Sequence, residues 1–458
     1  MKTYDIVILG GGPGGYVAAI KARQLNASVA LIEKNAIGGV CLNEGCIPTK
    51  ALLKSAKVYK TIKRSEEYGI KVDSSSIIAD WQSMQLRKTK IVKRLTDGVK
   101  LLLQKNGVEV FQGYGEVLSP TTLKINQEII TAKAIIIATG ASPIKPPIKG
   151  LDAAIDQGYV HFSQSLLSIE QIPKRLVIIG GGVIGIEFAT LFNALGTEVV
   201  VLEKMDTILM QIDDEIRQSY LKILKQDGIK IIHNASVTEI NQDMITYQID
   251  GNNQTIQADK ILLSVGMRPN TEAFKHLNLK MENHAIVVDA TMKTSIDSIY
   301  AIGDVTGKTM LAHAASAAGI VAVLNLLGQK AEFDPSKVPS AIYGFPEIAM
   351  VGLTEKEARA KNIPYKISKF PLSANGRALT EGESMGLIKL LVDPTYGEIL
   401  GTHIFAYNAS ELLGETMLAM NSEATVSEIA DSIHLHPSVS ETVMEAAMGA
   451  FMKPIHIL

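Results

Sequence analysis

The chain has 458 residues, 47% hydrophobic and 20% charged, which is enough for about three domains of roughly 150 residues each. Its 45 basic and 47 acidic residues give a net charge of −2, without the basic excess typical of nucleic-acid binding, so no nucleic-acid partner is expected. No apolar run reaches the roughly 18 residues of a membrane span and no cleavable leader is evident, so we expect a cytoplasmic protein without a membrane anchor.

The first predicted elements are a strand, a glycine-rich turn and a helix. A strand-like run meets Gly10, Gly12 and Gly15 in the pattern G-x-G-x-x-G, and a second strand ends at Glu33, 23 residues after Gly10. In this pattern the first glycine permits a tight turn, the second lets a pyrophosphate approach the backbone, and the third brings helix and strand together. The segment therefore predicts a dinucleotide-binding Rossmann unit.

The two cysteines of the chain, Cys41 and Cys46, stand five residues apart. In a regular helix such positions are about 8.6 Å apart, more than the roughly 7 Å that a disulfide spans, so pairing requires a distorted backbone, which Gly45 permits. A dithiol exchanges two electrons, as a hydride does, and suits direct exchange with a flavin. A metal site would need further thiols or clustered histidines. Two inert core cysteines are the other alternative.

Further strand-like runs mark the borders between domains. One run leads into Gly140 and a proline-rich stretch that is typical of a linker, and another leads into Gly266. A later run closes on Asp304. Beyond Pro339 strands mix with amphipathic helices and no further glycine motif occurs. We interpret this last stretch as a separate domain.

The strand–glycine–helix pattern recurs in the middle of the chain. Gly180, Gly182 and Gly185 follow a strand, and the next strand leads to Glu203, 23 residues after Gly180. A carboxylate there accepts hydrogen bonds from the ribose hydroxyls and repels a 2′-phosphate, and no arginine adjoins it, so NAD is favoured over NADP. Two motifs imply two dinucleotides, most simply a tightly held FAD and an exchangeable NAD.

A histidine-containing segment, residues 434–441, lies near the C-terminus. Dithiol chemistry at neutral pH needs a base, for which His436 is suited, and Glu441 would orient its imidazole. Two alternatives remain open. Ser438 and Glu441 have the spacing of a capping box, and His434 with His436 would offer a metal two ligands without an evident third.

Two charged residues beside these motifs also have structural interpretations. Glu187, two residues after Gly185, would complement the positive end of its helix. Lys50 would be a solvated helix lysine. The residues alone do not decide between these interpretations and a role beside a cofactor.

The segments 38–50 and 436–441 carry a resemblance that extends over nearly the whole chain. The sequence resembles the dihydrolipoamide dehydrogenases, within the flavin disulfide reductases or class I pyridine nucleotide-disulfide oxidoreductases. The resemblance implies an α/β fold with two Rossmann-like dinucleotide-binding domains and a C-terminal α+β dimerisation domain. The implied domains are an FAD domain (1–143), an NAD domain (144–270), a central domain that completes the FAD site (271–338) and a dimerisation domain (339–458).

The resemblance also implies how the two cofactors are held. FAD would occupy the first glycine motif, with Glu33 on its ribose and Asp304 on its ribityl chain. NAD would occupy the second motif, with Glu203 on its ribose, and Lys50 would pair with Glu187 beside the flavin. The other positions expected to line the two cofactors are Gly113, Gly140 and the backbone of Ala312 for FAD, and Val237 and Gly266 for NAD.

The reaction implied by the resemblance is the oxidation of dihydrolipoamide. His436, supplied across the interface of a homodimer and held by Glu441, would take a thiol proton. The substrate thiolate would attack Cys41, and Cys46, next to the flavin, would pass the electron pair on towards NAD. The expected partner is the lipoylated acyltransferase of a 2-oxoacid or acetoin dehydrogenase complex, and no metal is expected.

Two other functions are compatible with these motifs. One is an NAD(P)H-dependent reductase of another disulfide. A glutathione enzyme would place arginines near Glu203, and a mercuric enzyme would add C-terminal cysteines; neither occurs here. The other is a non-enzymatic dinucleotide and thiol sensor, in which Cys41 and Cys46 form a regulatory switch. Formation of NADH from NAD and dihydrolipoamide would distinguish the enzyme from the sensor.

Overall fold

The computed structural model describes residues 2–457, which fall into two compact units. The first unit comprises the chain up to Pro173, Glu239–Met244 and Lys260–Pro335. The second unit comprises Lys174–Thr238, Ile245–Asp259 and the chain from Ser336 onward. Within residues 2–457 no helix is long and apolar enough to cross a bilayer.

The strands are short, as is usual for sheets in globular domains. In chain order they are β1 (Lys2–Leu9), β2 (Val29–Glu33), β3 (Glu109–Gln112), β4 (Gly115–Ser119), β5 (Thr122–Ile125), β6 (Glu128–Ile137), β7 (Ala141–Pro143), β8 (Val160–His161), β9 (Arg175–Ile179), β10 (Glu198–Leu202), β11 (Lys230–Ile232), β12 (Ser236–Asn241), β13 (Met244–Ile249), β14 (Asn252–Gln257), β15 (Lys260–Leu263), β16 (Met267–Pro269), β17 (Met281–Glu282), β18 (Ala285–Ile286), β19 (Ile299–Ala301), β20 (Ser340–Ile342), β21 (Glu347–Gly352), β22 (Lys366–Pro371), β23 (Leu387–Val392) and β24 (Ile399–Ala406).

The α-helices alternate with strands in the first half of the chain and cluster near the C-terminus. They are α1 (Pro13–Gln24), α2 (Gly39–Glu44), α3 (Cys46–Lys63), α4 (Trp81–Lys105), α5 (Leu151–Asp156), α6 (Ser163–Leu166), α7 (Val183–Ala194), α8 (Asp214–Gln226), α9 (Ala312–Leu326), α10 (Glu355–Ala360), α11 (Gly376–Thr380), α12 (Ala409–Asn421), α13 (Val426–Asp431) and α14 (Glu441–Met448).

The main sheet of the first unit has the strand order β3-β2-β1-β6-β5-β4, with β19 also pairing with β6. β1 runs parallel to β2 and β6, and Ile8 lies opposite Leu31 on one side and Ile136 on the other. These strands are buried on both faces, which explains why they appear in the sequence as continuous apolar runs. The β1–α1–β2 unit confirms the predicted Rossmann pattern.

The proline-rich stretch that was predicted to be a linker begins with a short strand. β7 pairs antiparallel with β16, so that Ala141 lies opposite Pro269. The glycines that precede the two strands are tied to the same ribbon, because Gly140 accepts from the Asn270 N–H at 2.9 Å and Gly266 accepts from the Ile144 N–H at 3.0 Å. The pairing therefore places the two segments that follow Gly140 and Gly266 side by side.

The second unit contains parallel strands β9, β10 and β11 and, separately, an antiparallel sheet of order β20-β21-β24-β23-β22. α7 begins just after the glycines that follow β9. In the C-terminal sheet, α12 contacts β21 and β24, and α14 contacts β22 and β23. Their apolar faces and the sheet form one core, which confirms the α+β character predicted for this part of the chain.

A buried ion cluster joins three elements of the second unit. The side chain of Lys389, on β23, is 0% exposed, and its Nζ lies 2.8 Å from Asp213 Oδ1, 3.2 Å from Glu215 Oε2 and 2.5 Å from Glu355 Oε1. The Lys389 ammonium holds the pKa of Asp213 below its usual range, although burial opposes this. Lys389 therefore supplies the counter-charge for the buried carboxylate of Asp213, whereas the partly exposed Glu215 and Glu355 also pair with Lys369 and Arg359.

We expect the substitution Lys389→Met to lower the free energy of unfolding by about 3–5 kcal/mol, because it leaves the buried carboxylate of Asp213 without its counter-charge. Because the pKa of Asp213 is lowered on folding, its contribution is present above the ordinary pKa of aspartate and is lost as the pH falls through the lowered value. Chemical denaturation should therefore show a smaller difference in the free energy of unfolding between wild type and Lys389→Met at acidic pH than at neutral pH. The exposed control Lys361→Met should change stability by less than about 0.5 kcal/mol.

Candidate functional site

The first glycine motif forms a tight turn with one open position. A Cβ atom at Gly10, whose φ is +105°, would lie 2.2 Å from the Ala138 carbonyl oxygen, and one at Gly15 would lie 1.8 Å from the Gly10 carbonyl oxygen. At Gly12 the nearest atom would be 3.9 Å away. The first and third glycines are thus required by close packing, while the second leaves room for a pyrophosphate at the start of α1.

Glu33 is fixed by two backbone groups. Its Oε2 accepts from the Gly11 N–H at 2.6 Å and its Oε1 accepts from the Asn35 N–H at 2.7 Å, and the residue is buried. The carboxylate therefore stands at the end of β2 in one orientation, with lone pairs left for ribose hydroxyls. The turn and this acid together fit a dinucleotide.

Other residues predicted to line FAD also follow parallel strands of the first unit. β3, β2, β1, β6 and β19 all run in one direction, so their carboxyl ends lie at one edge of the sheet. Gly113 follows β3 and donates its N–H to the Glu33 carbonyl at 2.9 Å. Gly140 follows β6. Asp304 follows β19, and burial raises the pKa of its carboxyl group. Ala312 is the first residue of α9, which packs against α1.

The two cysteines flank a break between helices. Cys41 lies on α2 and Cys46 is the first residue of α3, while the backbone of Gly45 between them leaves the helical region (φ −138°, ψ −104°). A Cβ atom at Gly45 would lie 3.1 Å from the Val40 carbonyl oxygen. The distortion predicted from the spacing is therefore present.

Both cysteines are present as thiols rather than as a disulfide. Their side chains are hydrogen-bonded to each other, and this contact, together with burial, raises the pKa of Cys41. The raised pKa means that Cys41 gives up its proton less readily than an ordinary thiol. Two thiols that are hydrogen-bonded to each other are close enough to act as a dithiol–disulfide couple.

Two residues near the dithiol were not found from the sequence. The Asn43 amide donates to the carbonyl oxygens of Gly39 at 2.9 Å and Ile37 at 3.1 Å, which braces α2. Tyr16 is half-buried, and burial raises the pKa of its hydroxyl group, with a smaller electrostatic contribution from the nearby Cys41 side chain. The sequence around Tyr16 and Asn43 contains no pattern that predicts these contacts.

The second glycine motif repeats the geometry of the first. Gly180 has φ +106°, and a Cβ atom at Gly182 would have no atom within 4 Å. Glu203 Oε2 accepts from the Gly181 N–H at 2.6 Å, and its Oε1 accepts from the Met205 N–H at 2.8 Å. The second unit therefore also fits a dinucleotide with a ribose contact.

The remaining residues predicted around NAD and the flavin are divided between the two units. Val237 lies on β12 in the second unit, and Gly266 lies in the first. Glu187, on α7, is buried, and its Oε1 accepts from the Tyr343 N–H at 3.1 Å. Lys50 lies on α3 in the first unit, and its pairing with Glu187 stays a prediction.

The predicted histidine and glutamate are in contact. His436 Nδ1 lies 2.9 Å from Glu441 Oε1, and the Ser438 N–H donates to Glu441 Oε2 at 2.8 Å. These two contacts hold the pKa of Glu441 below its usual range, although burial opposes this. When Nδ1 donates to the carboxylate, Nε2 is left as the proton acceptor. The N-cap of α14 is Ser440, without a side-chain cap hydrogen bond, so Ser438 and Glu441 do not form a capping box.

Comparison with known proteins gives consistent matches. The family described as "Pyridine nucleotide-disulphide oxidoreductase" matches residues 4–319, and its dimerisation domain matches residues 338–447. A dihydrolipoyl dehydrogenase of Chlamydia trachomatis is 40% identical over 100% of this chain and 98% of its own length, and one of Bacillus subtilis is 40% identical over 99% of each. One of Acholeplasma laidlawii is 49% identical over 71% of this chain and 97% of its own length. A solved structure, the Cu(II) complex of the HOCl-induced flavoprotein disulfide reductase RclA from Escherichia coli, is 28% identical with a TM-score of 0.86 and covers 98% of this chain and 99% of that one.

Proposed function

Because this chain belongs to the pyridine nucleotide-disulphide oxidoreductase family, we propose that it oxidises protein-bound dihydrolipoamide to lipoamide and reduces NAD to NADH. The observation that carries the proposal is the pair of hydrogen-bonded thiols, Cys41 and Cys46, on either side of a helix break. The full-length relatives named dihydrolipoyl dehydrogenase support the choice of substrate.

The enzyme uses FAD and NAD. The residues proposed to hold FAD are the first glycine motif, Glu33 and Asp304, and those proposed to hold NAD are the second motif and Glu203. Bound FAD supplies a two-electron carrier between the dithiol and NAD. The fixed carboxylates of Glu33 and Glu203 support these roles, because each is already held in position by two backbone N–H groups.

The chain's own residues carry the sulfur chemistry. His436 Nε2 accepts a proton from one substrate thiol, and the resulting thiolate attacks Cys41 Sγ in the oxidised enzyme, which releases Cys46 as a thiolate. The second substrate thiol then attacks the mixed disulfide, which frees Cys41 and closes the lipoamide ring. The substrate has lost two protons and two electrons. NAD takes up the electron pair and one proton, and the other proton goes to solvent.

The chain forms a homodimer through its C-terminal dimerisation domain. We further propose that His436 serves the dithiol of the partner subunit. The support is its exposure, because 79% of the His436 side chain is accessible in a single protomer, whereas a catalytic base works best when shielded from water. We also propose a lipoylated acyltransferase as the partner, a cytoplasmic location, and a division into four domains with borders at residues 143, 270 and 338.

The decisive experiment is to incubate the purified holoenzyme with dihydrolipoamide and NAD and to follow NADH by absorbance. We expect one NADH for each lipoamide formed. A yellow protein that shows no turnover while its dithiol stays intact would support the sensor. Preferential oxidation of NADPH with another disulfide would support a different reductase.

We expect the substitution Glu203→Ala to raise the KM for NAD about tenfold or more, because a hydrogen bond to a charged group contributes about 1.5–3 kcal/mol. The KM for dihydrolipoamide should change little. Glu198→Ala, at the exposed start of β10, the strand that precedes Glu203, is the matched control. An unchanged KM for NAD in Glu203→Ala would remove this carboxylate from the NAD site.

A further inference from the structure

His434, which the proposed reaction leaves unused, is turned into the protein while its neighbours are exposed. Only 7% of its side chain is accessible, whereas Ile433 is 100% exposed and Leu435 is 78% exposed. His436, two residues further on, is also exposed. The segment thus presents three residues outward and buries one.

Both ring nitrogens of His434 contact protein oxygens. Nε2 lies 2.7 Å from Glu415 Oε1, and Nδ1 lies 2.9 Å from the Ser432 carbonyl oxygen. A carbonyl oxygen and a carboxylate both accept hydrogen bonds, so the imidazole of His434 faces an acceptor at each ring nitrogen. With both nitrogens occupied, His434 is not arranged to share a metal with His436.

Glu415 provides a rigid attachment point. It lies on the 13-residue helix α12, and its neighbours Leu412, Leu413 and Thr416 are buried in the C-terminal core. A hydrogen bond from an imidazole to a carboxylate on such a helix is stronger and shorter than a neutral one. The contact therefore ties the segment before His436 to the core.

A second attachment lies just beyond His436. The Asn375 amide donates to the Ser438 carbonyl oxygen at 2.9 Å, and the Ser438 N–H donates to Glu441. His436 thus lies between two fixed points in the loop that connects α13 to α14. Glu441 fixes the direction of the His436 imidazole, and the position of the ring depends on the backbone that carries it.

We propose that His434 and Glu415 are positioning residues that hold the backbone on which His436 is presented to the substrate thiol. This inference rests on the proposed function. Neither residue accepts the proton itself. A catalytic group displaced by about 1 Å can lose up to a hundredfold in rate, so the loss of a contact two residues away should reduce turnover without removing the base.

The test uses the holoenzyme variants His434→Gln and Glu415→Gln. We expect each to lower kcat for dihydrolipoamide oxidation about tenfold, with an unchanged KM for NAD. NADH-dependent reduction of ferricyanide, which needs no base for a thiol, should stay normal, and sedimentation should show an intact dimer. The kcat of the double variant should be no lower than that of either single variant, because both substitutions remove the same contact between His434 and Glu415. Glu411→Gln, one turn earlier on α12, is the matched control and should behave as wild type.

A further double variant separates positioning from general structural damage. In a His436→Gln background, His434→Gln should cause no additional loss, because the group that it orients is already absent. The proposal is overturned if His434→Gln causes an additional loss in the His436→Gln background. It is also overturned if the single variant His434→Gln shows a parallel fall in ferricyanide reduction, a dissociated dimer, or a kcat within twofold of wild type. If wild-type holoenzyme forms no NADH from dihydrolipoamide, the proposed function fails first, and this inference fails with it.

Discussion

Replacement of Cys46 with serine is expected to lower NADH formation from dihydrolipoamide by more than about a thousandfold. It should also abolish the long-wavelength absorbance band that a thiolate next to the flavin produces on partial reduction. The physical reason is the division of charge in the dithiol. We propose that Cys46 supplies the thiolate beside the flavin, and the raised pKa of Cys41 supports this assignment because it disfavours the charged form of the other thiol.

Cys41→Ser is the matched variant for this experiment. It should lose turnover to the same extent, because the substrate thiolate has no disulfide to attack. It should nevertheless keep the long-wavelength band, because the Cys46 thiolate is retained. The two spectra, recorded during titration with a reductant, therefore assign the two sulfurs independently of activity. A band that persists in Cys46→Ser and disappears in Cys41→Ser would mean that the roles are reversed.

Replacement of His436 with glutamine is expected to lower turnover with dihydrolipoamide by at least about a hundredfold, the low end of the range for acid–base catalysis. Glutamine can still donate to Glu441, but it has no basic nitrogen to accept the thiol proton. Because His436 is exposed and packs little in the protomer, its removal should leave folding unchanged. Steady-state rates across the pH range measure the effect.

Ferricyanide reduction by NADH is the internal control for His436→Gln and should remain near the wild-type rate. His276→Gln, which replaces an exposed histidine of the first unit, should leave both rates unchanged. Glu441→Gln should cause a smaller loss than His436→Gln, because the imidazole stays in place and loses only the charge that orients it. A near-normal rate in His436→Gln would remove this residue from the mechanism.

The two dinucleotide motifs, the dithiol and the His436–Glu441 pair were predictable from the sequence because each depends on residues close together in the chain. A positive φ at Gly10 and the steric contacts around it follow from the local turn, and the spacing to Glu33 follows from one helix and two strands. The break at Gly45 is equally local, since five residues of regular helix cannot bring two cysteines together. The resemblance to the flavin disulfide reductases also predicted the α/β class correctly.

Other features were decided only by the tertiary structure, because they depend on how separate elements pack against each other. The β7–β16 ribbon places Pro143, the first proline of the predicted linker, in a paired strand. The cluster around Lys389 joins residues more than a hundred positions apart, and the contact of His434 with Glu415 depends on which face of α12 is buried. Such contacts depend on which surfaces become buried when the chain packs and on which hydrogen-bond partners the buried polar groups then find. Local spacing determined which chemistry this protein can carry out, and packing determined which side chains hold those reacting groups in place.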